Sequence, residues 1–145
     1  MADAICELIV AEAVDCIENA TTVPVYRSRD AALAVGQYPA VVIVPVQDDP
    51  EETTGTVCYI DWQMLLAADV IVGEGMDTAA HPIRAQIHAA MMDSSTVFAV
   101  PGVTDIEPSL VQYQLNNRVA DVAHVRCPFK IRYRTRHDDL KVAAP

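Results

Sequence analysis

Between Tyr59 and Gly73 the chain alternates for longer than an ordinary strand does. Ile60, Trp62, Met64, Leu66, Ala68, Val70 and Val72 share one parity, while Asp61, Gln63 and Asp69 fall on the other. Such alternation belongs to a β-strand with one buried face. At about 3.3 Å per residue an unbroken strand of this length reaches roughly 50 Å. A domain of 145 residues has a diameter of only about 40 Å. The strand must therefore bend at a bulge or belong to a hairpin that projects beyond the body, where it offers a surface to a neighbouring subunit.

The length suits one domain with a real core. With 52% hydrophobic residues the chain should fold, and no apolar run reaches the roughly 18 residues of a membrane span. The start Met-Ala-Asp-Ala has no basic region, and Glu7, Glu12 and Asp15 interrupt the apolar stretch behind it, so a secretory signal is not supported and a cytoplasmic compartment is expected.

Other elements arrange themselves around the long strand. Ile5, Leu8, Ile9, Ala13, Cys16 and Ile17 recur at helical spacing, which predicts an amphipathic helix over about Asp3 to Asn19. Val23 to Tyr26 is short and extended, with Pro24 suited to a strand start or edge. Tyr38 to Val46 is apolar without alternation, as in a strand covered on both faces. Gln47 to Thr56 is acidic and reads as an exposed hairpin tip. A second helix is predicted from Asp77 or Pro82 to Met92, with Ile83, Ile87, Ala90 and Met91 inward and Pro82 in its first turn. Val97 to Pro108 should form short extended pieces around Pro101-Gly102. Leu110 to Leu115 predicts another strand, and Asn116-Asn117 a turn. Asp121 to Arg136 alternates again, with Cys127, Phe129, Ile131 and Tyr133 on one face and Arg126, Lys130, Arg132 and Arg134 on the other.

The expected fold class is α+β: a largely antiparallel sheet packed by two main helices, with a long projecting β-hairpin. One domain should span residues 1–137, with 138–145 as a polar C-terminal tail.

Little in the chain points to catalysis. A nucleophile elbow, a Walker loop, GxGxxG and HExxH are all missing, and five glycines leave little for a phosphate cradle. No catalytic residue, cofactor or metal site is assigned. His81 and His88 are two helical turns apart, about 10 Å, which is awkward for one metal. Cys6, Cys16, Cys58 and Cys127 form no CxxC and read as buried thiols.

Charge is the one feature above background. The net charge is -10, yet six of the ten basic residues lie in the last twenty positions. Arg126, Lys130, Arg132 and Arg134, spaced along one strand face, could track a phosphate backbone. The same face could instead be solvated or pair with acidic surface on a neighbouring copy.

The order of these pieces resembles the tail terminator (tail-completion) proteins of long-tailed bacteriophages and related tail-like particles. The resemblance runs from the N-terminal helix through Val25-Tyr26-Arg27-Ser28-Arg29, the strand at Tyr38 to Val44, the acidic hairpin, the long strand around Trp62 to Val72 and the helix through Ile83 and Ile87. It ends at Phe129-Lys130-Ile131-Arg132-Tyr133-Arg134-Thr135. It implies a structural virion protein of the tail or neck that forms a hexameric ring, caps the tail tube, halts its polymerisation and joins the head connector. Implied partners are further copies of the chain, the tail tube protein and a connector or stopper protein, with DNA passing through the lumen and no membrane. Arg126, Lys130, Arg132 and Arg134 then become candidate channel-lining residues. Asp48, Asp49, Glu51, Glu52, Tyr59 and Asp61, flanking the hairpin tip, become candidate subunit or partner contacts. Two other readings stay open: a stopper or connector subunit of the neck, and a ligand-binding or enzymatic α+β domain whose site is not local in sequence.

Overall fold

A computed structural model describes residues 3–27, 39–51, 58–73, 76–116 and 122–144 of the chain. The first helix, α1 (Ile5–Ala20), buries Ile5, Ile9, Val10, Ala13, Cys16 and Ile17. Ala4 gives it no side-chain cap, so its stability comes from that buried stripe rather than from its ends. The second helix, α2 (Met76–Met91), packs beside α1 and buries Ala80, Ile83, Ile87, Ala90 and Met91. It begins a turn and a half before Pro82, which therefore lies inside the helix and not in its first turn. There the missing N–H removes one helical hydrogen bond, a loss offset by the buried stripe on either side.

Both helices cover one face of a seven-stranded sheet. In chain order the strands are β1 (Val25–Arg27), β2 (Ala40–Pro50), β3 (Tyr59–Val72), β4 (Val103–Pro108), β5 (Gln112–Asn116), β6 (Val122–Arg136) and β7 (Asp139–Ala143). β1 pairs parallel with β2 at one margin, and all other pairings are antiparallel. β3 pairs with β6 along its entire length, from Tyr59↔Arg136 to Val72↔Ala123. The other edge of β6 is shared by β5, β4 and β7 in turn. The long strand is thus accompanied on both sides, and its length does not by itself demand a partner from another subunit.

β2 bends at a bulge between Pro45 and Gln47, which leaves Val46 45% exposed. Beyond the bulge Asp48, Asp49 and Pro50 remain in the strand, opposite Met64, Gln63 and Trp62. The acidic run expected as connection is therefore partly strand. Trp62 stacks on Tyr133, and the Trp62 indole N–H donates to Thr135 Oγ1 at 3.1 Å. The Tyr133 hydroxyl donates to Asp48 Oδ2 at 2.5 Å, which ties β2 to β6 across β3.

Three further expectations change. Val97–Ala99 is a 3-10 turn rather than extended chain. The supposed polar tail contains β7, which pairs with β6 and packs Ala143 against the core. Cys58 is exposed, although Cys16 and Cys127 are buried. Of the expected Asn116-Asn117 turn, Asn117 lies outside the described residues. Gly102, at φ 95, is the close approach that joins β4 to β6: a Cβ there would stand 2.8 Å from the Arg134 carbonyl oxygen.

Candidate functional site: the charged face of the central strands

Alternation along β6 sends Val125, Cys127, Phe129, Ile131 and Tyr133 into the core, each 3% exposed or less. Arg126, Lys130, Arg132 and Arg134 must then lie on the sheet face away from the helices. The structure does bring these four candidates together on one face. It also sets an acid across from every one of them.

In register, Arg126 faces Asp69 and Arg134 faces Asp61 on β3. Lys130 faces Glu107 and Arg132 faces Asp105 on β4. Arg126 grips Asp69 through two hydrogen bonds, Nε to Oδ1 at 2.8 Å and an Nη2 contact to Oδ2 at 2.9 Å. Arg134 does the same with Asp61 at 2.7 and 3.3 Å, and its guanidinium lies 3.9 Å over the Tyr59 ring. Arg132 reaches Glu51 at 3.5 Å. The hydrogen bond to Asp69 holds the Arg126 guanidinium above its ordinary pKa, and that to Asp61 does so for Arg134. Bidentate pairs of this kind fix geometry as well as charge.

The basic strand is therefore flanked by carboxylates on both sides. A phosphate approaching Arg126 or Arg134 competes with an acid already in place. Cross-strand opposite charges also favour one register over its neighbours. Asp61 and Asp69 are as far apart on β3 as Arg126 and Arg134 are on β6, so a single antiparallel register satisfies both pairs.

Of the candidate hairpin contacts, Tyr59, Asp61 and Glu51 belong to this same face through Arg134 and Arg132. Asp49 is exposed and pairs in register with Gln63. Asp48 lies on the opposite face, bonded to Tyr133, and burial pushes its carboxyl pKa up. Glu52 lies outside the described residues. Sequence reasoning missed Asp69, Asp105 and Glu107 as members of the face. The equal spacing of the two aspartates and the two arginines was the available signal.

Elsewhere the chemistry is sparse. A depression of about 340 Å³ between α1 and the bulged end of β2 is lined by Cys6, Glu7, Arg27, Asp48 and Met64, among others. Glu7 there is already held by Arg27 at 2.6 Å, which lowers its carboxyl pKa. Burial pushes the Cys16 and Cys127 thiols up to about 11, which keeps them protonated and weakly nucleophilic. Among the described residues no three His, Cys, Asp or Glu side chains converge as metal ligands, and no helix is long and apolar enough to cross a membrane.

No protein-family model matches the chain, and no curated protein matches it in sequence. Among solved structures it is similar to a chain from one described as the virion of a native gene transfer agent (GTA) particle. The TM-score is 0.58 at 13% identity, over 90% of this chain and 92% of that one. The likeness is one of fold, and it runs through nearly the whole of both chains.

Proposed function

We propose that the chain is a structural virion protein, a ring-forming tail terminator that caps the tail tube, halts its growth and offers the surface that meets the head connector. The observation that carries this reading is the nearly full-length fold likeness to a component of a gene transfer agent virion. The tail terminator resemblance of the sequence, from the first helix to Phe129–Thr135, narrows it from virion protein to terminator.

In this role the protein acts through surfaces rather than catalysis. The hairpin end, where Asp49 is exposed and Glu51 partly so, is the surface offered to the tail tube or connector. The charged face of β3, β4 and β6 borders the lumen. Because its four cations are matched by four acids, such a lining screens passing DNA without gripping it.

The experiment is tube assembly in vitro with the cognate tail tube protein. Adding the purified chain should stop elongation and leave it at one tube end in electron micrographs. Tubes that grow unchanged, with no chain at their ends, would contradict the terminator role. Binding to the connector ring alone would move the protein to the neck.

A further inference from the structure

The two margins of the subunit differ in charge, with one arginine and two histidines at the first and carboxylates at the second. At the β5 margin, His81, Arg84 and His88 share the outer stripe of α2 and line a depression of about 390 Å³ with Ala85. Arg84 Nη1 donates to the Tyr113 hydroxyl at 3.2 Å, and His81 meets the edge of the same ring. Tyr113 is 45% exposed, and Leu110, three residues before it, is 75% exposed. No carboxylate occurs in residues 81–88 or 112–116. An exposed tyrosine held by an arginine, with an apolar neighbour, has the composition of an interface centre rather than of solvated surface.

α1 packs beside α2 and touches both β1 and β7, and it contains four acids and no basic residue. Glu7 is tied to Arg27 of β1, which places this flank of α1 at the β1 side. Glu18 follows Glu7 by eleven residues and so returns to nearly the same stripe, with Asp15 one turn before it. Asp15 and Glu18 are exposed. They sit toward the C-terminal, negative end of the helix dipole, and the last turn has no basic residue. That arrangement is unfavourable alone and is relieved by cations brought from outside.

We infer that the α2–β5 margin of one copy docks on the acidic α1 flank of the next copy, with Arg84, His88 and Tyr113 meeting Asp15 and Glu18. This contact joins two different surfaces, so repeated copies close into a ring if the rotation allows. The inference rests on the ring reading above and adds which margins meet.

Charge reversal tests it. Arg84→Glu makes both margins acidic, and Asp15→Arg with Glu18→Arg makes both basic. Each variant alone should weaken assembly, read by native mass, by roughly tenfold or more in concentration. An equimolar mixture should form rings again, because each margin then finds its opposite. His88→Glu replaces Arg84→Glu if circular dichroism shows that the latter has lost its fold. Rings from either variant alone, or a mixture that stays dissociated, would overturn the docking inference while leaving the ring intact. A wild-type chain that is monomeric at every concentration would instead remove the ring reading, and this contact with it.

Discussion

The two faces of β6 are built from the same alternating residues, yet they are held by different physics. Toward the helices, Cys127, Phe129, Ile131 and Tyr133 are removed from water and packed at close range. Away from them, Arg126, Lys130, Arg132 and Arg134 stay partly solvated, each opposite an acid on the adjacent strand. Burial of the first face contributes most of the stability, since apolar area removed from water outweighs pairs that keep contact with solvent. The second face contributes register and charge balance. A stripe of cations on one strand thus says little about a nucleic-acid partner until its neighbours are known.

The largest expected effect comes from the buried face. Phe129→Ala should destabilise the fold by about 3–5 kcal/mol, read as a shift in the urea midpoint. A shift below about 1 kcal/mol would mean that this face is not the core.

Gly102→Ala should come next, at about 1–3 kcal/mol, because alanine tolerates the positive φ poorly and its methyl would meet the Arg134 carbonyl oxygen. An unchanged melting temperature would show that the β4–β6 junction yields easily.

Tyr133→Phe probes the border between the faces. It removes the hydrogen bond to Asp48 and should cost about 1–2 kcal/mol at neutral pH. Burial and then the Asp48 bond raise the Tyr133 pKa far above its ordinary value. The folded state therefore prefers the neutral phenol, and this preference adds no pH dependence below the unfolded value of about 10. Above that pH the unfolded chain ionises first, so stability falls as pH rises. The wild type should lose stability between about pH 10 and 12 more steeply than Tyr133→Phe does. Parallel curves would contradict the burial of this hydroxyl.

The smallest effects belong to the charged face. Asp69 is 14% exposed and Asp61 29%, so Asp69→Asn should cost more, about 1 kcal/mol against a few tenths for Asp61→Asn. The reverse order in paired denaturation curves would mean that cross-strand pairing does not organise this face.

An interaction shows in the sequence only as far as its partners lie close together along the chain. β3 and β6 were readable because period-two alternation is local: Ile60 to Val72 and Cys127 to Tyr133 state their own buried face. Both helices were equally plain from their apolar stripes. Pro82 misled because its place in α2 depends on where the helix starts, and that start lies six residues earlier, at Met76. Asp48 to Pro50 were read as loop because their partners, Met64 to Trp62, become apparent only after the bulge at Val46 is placed. The function of the basic stripe was hidden for the same reason. Arg126 and Asp69 lie 57 residues apart, and only the strand register joins them.

The proposed role as one copy of a ring is tested by imaging the purified protein together with its native mass. Six copies of the 15.8 kDa chain would give a particle of about 95 kDa. Closed rings with an open lumen at that mass are the predicted result. A monodisperse monomer across the accessible concentration range, with no ring in any field, would contradict it.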